Sequence, residues 1–251
     1  MNNIRKKHSV KNLIAEGIKI LRGGDEDIDR LIAPRSEEII SLLERYVKEI
    51  ELFNPAYGLV AVNDTNELII KHILDSIAPV GIISRLLKEQ KKDGRRRRSV
   101  SDSIADAGSG AGLPGIPLAI ILNNCDLTLI EKMKRRAGFL LNTQAVLSLN
   151  NIAVIDCELE KAAYNLEAIE PSGIFNLIIF RAFKPFDPKL LKSLKKLCKP
   201  DGVIAAYKGR REKIETEITA CEKTLTQKLQ WEALPCPVPY LDEERHILVI
   251  R

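Results

Sequence analysis

No apolar run in this chain approaches the length of a membrane helix. The longest, such as residues 116–122, fall far short of the roughly 20 residues that crossing a bilayer requires. The first ten residues are polar and basic and lack an apolar core, so no secretory leader is expected. Five cysteines, at positions 125, 157, 198, 221 and 236, show no metal-ligand spacing, and no metal site is expected. An odd, scattered set in 251 residues fits a reduced cytoplasmic protein better than a disulfide framework. The composition, 45% hydrophobic and 29% charged, excludes disordered, collagen-like and disulfide-scaffold classes. Catalytic sets are scarce as well. No Walker-type G-K-[ST] is present, and no Ser/His/Asp or Cys/His set is evident. His8, His72 and His246 lie far apart and are read first as structural; His246, beside Arg245, is the one placed to stiffen a terminal hairpin.

What is present is unevenly distributed. Residues 88–98 carry seven basic and two acidic side chains, which is the whole formal excess of +5. Four consecutive arginines, Arg95, Arg96, Arg97 and Arg98, cannot pack in a core. They read either as a solvated linker or as an arm that contacts nucleic-acid phosphates. Smaller basic groups follow at 132–136 and 208–211.

Periodicity divides the chain near residue 100. Apolar positions at 39, 40, 42, 43, 46, 47, 50 and 53 predict a helix over 36–53, closed by Asn54-Pro55. Residues 66–87 predict one or two more helices, broken near Pro79-Val80-Gly81. Residues 1–100 are therefore expected to form a helical region, with the basic insert at 88–98. Beyond it, short apolar runs at 103–107, 127–130, 153–156, 176–180, 203–207 and 247–251 alternate with helical patterns at 115–123, 134–149, 188–197 and 211–228. Such alternation predicts an α/β fold with a doubly wound, mostly parallel sheet over 101–251. The Pro-rich stretch 234–239 leaves no room for a crossover helix, so the last strand should pair antiparallel with one near 230–234.

The strongest local signal is Asp106-Ala-Gly108-Ser-Gly110-Ala-Gly112-Leu-Pro-Gly115, between the first strand and first helix of the sheet. In open α/β sheets ligands bind at such a position, and glycine lets the backbone approach them closely. Gly110 to Gly115 formally matches G-x-G-x-x-G, and Glu131 follows at roughly the spacing of a dinucleotide fingerprint. Pro114, however, removes an N–H that a pyrophosphate would need, and Asp106 would repel it. S-adenosylmethionine, with a sulfonium and an ammonium but no phosphate, suits the acidic groups. Glu131 can accept both ribose hydroxyls.

The string DAGSGAGLPGIP at 106–117 resembles the cofactor loop of the RsmG/GidB family, the bacterial small-subunit (16S) rRNA guanine-N7 methyltransferases. Further segments resemble that family in order: Phe53-Asn54 with Tyr57, the stretch Lys71-His-Ile-Leu-Asp-Ser76, the end of the fourth strand at 175–183, Tyr207-Lys208-Gly209, and Glu244-Arg-His-Ile-Leu-Val249. Where the family reads Asn-Leu-Thr, this chain has Gly58-Leu59-Val60.

The resemblance implies a class I, Rossmann-like methyltransferase with a terminal antiparallel hairpin, using S-adenosylmethionine on 16S rRNA or the small ribosomal subunit. It implies a cytoplasmic, non-membrane protein, taken here as a monomer. It places cofactor contacts at Gly108, Gly110, Leu113, Glu131, Leu159, Glu160 and Arg181, with Asp106 serving the methionine end. Arg181 and Lys208 are candidates for positioning; a salt bridge to Asp106 or Glu131 is the bland alternative for Arg181. RNA contacts are expected from Arg95–Arg98 and from Arg135 and Arg136, with Lys184 on the same rim. Two other readings stay open: an NAD-dependent oxidoreductase and a non-catalytic RNA-binding protein. If the arginine run touches RNA, replacing Arg95–Arg98 with serine weakens RNA binding and flattens its salt dependence while cofactor affinity holds. An unchanged salt slope in a binding titration would reject the arm.

Overall fold

Side-chain caps and proline positions set the helical half of the molecule. The computed structural model describes residues 9–92, 101–182, 186–225 and 228–251; His8, Arg95–Arg98 and Lys184 lie outside the described residues. Ser9 accepts the Asn12 N–H to open α1 (Val10–Gly24). Asp25 accepts from the N–H groups of Asp27 and Ile28 to open α2 (Glu26–Ile32). After one 3-10 turn, α3 runs from Ser36 to Tyr57. It does not stop at Asn54-Pro55 as expected. Proline costs a helix one N–H bond and crowds the carbonyl four residues back, and the helix runs only two residues beyond Pro55. The Asn54 carbonyl then accepts from the Gly58 N–H at 2.9 Å, with Gly58 at φ 57°, a left-handed stop that glycine adopts freely.

Next come α4 (Thr65–Leu68), a π-helical stretch over Ile69–Leu74, and α5 (Asp75–Ile77). The expected break falls at Ala78-Pro79, before α6 (Val80–Lys92).

The second half alternates as predicted: β1 (Asp102–Ala107), α7 (Gly115–Ile121), β2 (Cys125–Glu131), α8 (Lys134–Leu147), β3 (Ile152–Asp156), α9 (Leu159–Ile169), β4 (Phe175–Arg181), α10 (Pro188–Leu197), β5 (Cys198–Lys208), α11 (Arg211–Leu225), β6 (Trp231–Pro235) and β7 (His246–Ile250). The order across the sheet is β3-β2-β1-β4-β5-β7-β6. The first five strands are parallel, and β7 runs antiparallel to both β5 and β6. The strand order reverses between β1 and β4, so their carboxyl ends open a crevice there. Of the sheet helices, α9 alone was not anticipated. Its buried face is Leu159, Ala162 and Ala163, too small to produce a clear apolar period.

Both faces of the sheet are covered. In β4, Leu177 and Ile179 join a core shared with α1, α3, α6, α7 and α8, while Ile178 and Phe180 join a second core with α9, α10 and α11. Parallel strands buried on both faces read as continuous apolar runs, as this one does. The helical region therefore packs directly on the sheet. One buried link is Tyr46 on α3, whose hydroxyl donates to the Ala111 carbonyl in the glycine loop at 2.6 Å. Replacing Tyr46 with Phe leaves that carbonyl unpaired and should cost about 1–3 kcal/mol. A urea midpoint equal to wild type would show that this bond contributes nothing.

Candidate functional site

The glycine loop is pinned from below and from the side. Asp106, at the end of β1, is 1% exposed, and its Oδ2 accepts the Gly115 N–H at 2.9 Å. Its backbone carbonyl accepts the Ser109 hydroxyl. The N–H groups of Gly108 and Ser109 both donate to the Ile130 carbonyl of β2, at 2.9 and 3.1 Å. The turn between requires positive φ at Gly108, Gly110 and Gly112, a region costly to other residues. At Gly115 the requirement is spatial: a Cβ there would sit 2.4 Å from Leu129 and 2.6 Å from the Asp106 carboxylate.

Glu131 closes the other wall. Its Oε2 accepts the Gly110 N–H and its Oε1 the Met133 N–H, each at 2.8 Å. Each oxygen retains a further lone pair. Beside it lies a cavity of about 230 Å³ lined by Gly108, Glu131, Arg136, Glu158, Leu159 and Glu160 among others. A second cavity, about 650 Å³, opens at the ends of β4 and β5. Ala182 lines both and holds a left-handed φ of 49°, a strained conformation that marks a constrained junction.

Arg181 faces the second cavity and does not pair with Asp106 or Glu131, the partners first considered. Its Nη1 donates to Asp75 Oδ2 at 2.8 Å and to the Lys71 carbonyl at 3.2 Å, and its Nη2 lies 3.0 Å from His72 Nδ1. A guanidinium has only donors, so His72 Nδ1 is the acceptor. Burial, and then the Arg181 charge, push the His72 pKa down to about 4, so the imidazole is neutral at pH 7. The other Asp75 oxygen accepts from Arg245 Nε at 3.0 Å. Lys208 pairs with Glu217, and His246 Nδ1 lies 2.8 Å from the Gly209 carbonyl, joining β7 to the end of β5.

The predicted residues thus divide. Gly108, Glu131, Leu159 and Glu160 meet around one cavity, with Gly110 holding Glu131. Asp106 and Leu113 are buried beneath the loop and line neither cavity. Arg135 is exposed, whereas Arg136 lines the smaller cavity and donates to the Gly58 carbonyl at 3.0 Å. Periodicity and charge missed His72, Asp75 and Arg245. Their only signal lay in the strings Lys71–Ser76 and Glu244–Val249. Among the described residues, no three His, Cys, Asp or Glu side chains are grouped to hold a metal, and no helix is long and apolar enough to cross a membrane.

The family model described as rRNA small subunit methyltransferase G matches residues 39–247. The chain belongs to that family. It is 36% identical over 261 aligned positions to the Ribosomal RNA small subunit methyltransferase G of Treponema denticola, covering 96% of each chain. The enzyme of the same name from Polynucleobacter asymbioticus is 33% identical over 226 positions, covering 89% of this chain and 91% of that one. Among solved structures, the human methyltransferase 10 domain containing protein superposes with a TM-score of 0.54 at 12% identity, covering 82% and 93% of the two chains. The METTL16 methyltransferase domain does so at 0.53 and 14%, covering 82% and 79%. These share the Rossmann-like class I methyltransferase fold. Membership in a methyltransferase family sets aside the oxidoreductase reading of the glycine loop.

Burial raises the Asp106 pKa from 3.8 to about 7, against smaller opposing effects of the Gly115 N–H and the Arg181 charge. The folded protein therefore keeps this proton after an unfolded Asp has released it. Stability should fall as pH rises from about 4 to about 7, a loss absent from an Asp106→Asn variant. Urea midpoints of the two proteins should diverge in the variant's favour across that window; parallel pH profiles would contradict the buried, protonated carboxyl.

Proposed function

We propose that this protein transfers the methyl group of S-adenosylmethionine to N7 of a guanine in small-subunit ribosomal RNA. The observation that carries the reading is the acidic cavity beside the glycine loop, adjoining a basic cavity at Ala182. Glu131, Glu158 and Glu160 outnumber Lys132 and Arg136 around the first, an arrangement suited to a cation and hostile to a pyrophosphate. Asp106 Oδ1, buried without a hydrogen-bond partner, adds negative potential under the loop whenever that carboxyl is ionised. When bound, S-adenosylmethionine supplies an electrophilic methyl on its sulfonium.

The chain's own residues then bind and aim. The spare Glu131 lone pairs accept ribose hydroxyls, Leu159 gives the adenine an apolar wall, and Glu160 closes that end. Gly108 lets the backbone approach closely. Arg181 and Lys208, at the ends of β4 and β5, stand on the acceptor side as positioning groups. The names of the relatives supply the substrate class.

Guanine N7 presents a lone pair and no proton at neutral pH, so no general base is required. Holding the lone pair in line with the reacting bond supplies on the order of 7–11 kcal/mol. His72, held neutral with its Nδ1 occupied by Arg181, fits a site that orients rather than one that shuttles protons.

Ribosomal RNA from cells with and without this gene should differ by one strand scission at 7-methylguanosine, present only with the gene. Survival of every scission product in the deletion would remove the assigned reaction. Glu131→Ala should weaken S-adenosylmethionine binding by roughly tenfold or more, the scale of lost hydrogen bonds to a charged group. Unaltered calorimetric affinity would show that Glu131 does not hold the ribose.

A further inference from the structure

The two cavities that meet at Ala182 are lined with opposite charge. The smaller has three carboxylates, Glu131, Glu158 and Glu160, against Lys132 and Arg136; the larger has four cations, Lys71, Arg181, Lys208 and Arg245, against Asp75 and Glu217. A polyanion is drawn to the second and not to the first.

Two of the four cations are committed inward. Arg181 is shared among Asp75, His72 and the Lys71 carbonyl, and Lys208 is tied to Glu217. Lys71 and Arg245 are different. The Lys71 ammonium meets Glu67, one turn back on the helix surface, and Lys71 is 43% exposed. Arg245 Nη2 meets Glu243, which is 59% exposed. Ion pairs with a partner this open to water are weak and exchange readily for another anion. Lys71 also lies within electrostatic reach of both Glu243 and Arg245, so the two cations border one opening.

Behind them the geometry is rigid. Asp75 is 7% exposed and holds Arg245 Nε on one oxygen and Arg181 Nη1 on the other. Arg245 Nη1 donates to the Glu244 carbonyl at 3.0 Å, so Nη2, paired only with Glu243, is the nitrogen that can change partner. The π-helical stretch over Ile69–Leu74 ends immediately before Asp75, and such segments recur at functional sites.

We propose that Lys71 and Arg245 form a seat for a backbone phosphate of the acceptor RNA, beside the nucleotide whose base reaches in toward Ala182. This rests on reading the protein as an RNA methyltransferase. The phosphate takes Arg245 Nη2 from Glu243, whose carboxylate passes to water, and the Lys71 ammonium from Glu67, whose carboxylate stays on the Asn63 N–H and amide. Asp75 is a positioning residue that aims Arg245. A contact of this kind sets the register of the strand and carries no sequence information.

The test uses the full chain, with 16S ribosomal RNA from cells lacking the gene as the probe. RNA affinity is measured across a salt series, and S-adenosylhomocysteine affinity by calorimetry. Lys71→Gln and Arg245→Gln should each weaken RNA binding roughly five- to tenfold and reduce the slope of log affinity against log salt by about one. S-adenosylhomocysteine affinity should hold, and Lys71→Arg should keep the wild-type slope. Wild-type slopes in both glutamine variants overturn the seat. So does a loss of S-adenosylhomocysteine affinity that matches the loss of RNA affinity. Lys71 is exposed, so its variant decides the matter even if the Arg245 variant fails to fold. Reduced slopes with no guanine-N7 methylation by the wild-type protein would refute the reaction and keep the seat; normal methylation with unchanged slopes would do the reverse.

Discussion

The tight reversal after β1 is the constraint on which the rest depends. One buried carboxylate, Asp106, takes the Gly115 N–H, and one carbonyl, Ile130, takes two N–H groups from Gly108 and Ser109. These bonds draw the chain back over the strand ends. They place the Gly110 N–H against Glu131, so the wall of the smaller cavity is organised by the loop itself. Tyr46 reaches the same loop from α3. The helical region is thereby coupled to the glycine turn at the edge of the switch point.

The sheet topology then sorts charge. The ends of β2 and β3 bring Glu131, Glu158 and Glu160 to one side of the switch point, and the ends of β4 and β5 and the entry to β7 bring Arg181, Lys208 and Arg245 to the other. The proposed reaction needs both, a cationic donor and a polyanionic acceptor whose reacting atoms meet between them. Ala182 stands at that boundary. If the nucleophile is the guanine N7 proposed above, it has a free lone pair and the protein's contribution reduces to placement. That accounts for a site rich in ion pairs and backbone hydrogen bonds and without a nucleophile–base pair among its described residues.

Much of the fold was legible in the chain. Period-two and continuous apolar runs report strands buried on one or two faces, and the Pro-rich segment before β7 foretold its antiparallel pairing. Misreadings fell where a local rule met a neighbour. Pro55 was taken to end α3, but the helix continues two residues past it to Tyr57 and stops at the left-handed Gly58. The α9 helix was not read because two of its three buried residues are alanines. Within the site, the glycine spacing and Glu131 were visible because backbone conformation imposes residue type locally. Asp106 was equally visible, but as a cavity group, whereas it lies beneath the loop.

The amino-acid order alone therefore determined the parallel sheet, the glycine turn and the acid facing it, since each is enforced by neighbours within a few residues or by a repeating pattern. Only the tertiary structure decided that Arg181 pairs with Asp75 and that Arg245 shares that carboxylate. Those partners stand 106 and 170 positions from Asp75 along the chain, and no local pattern records a contact that exists only when β4 and β7 converge on one helix end.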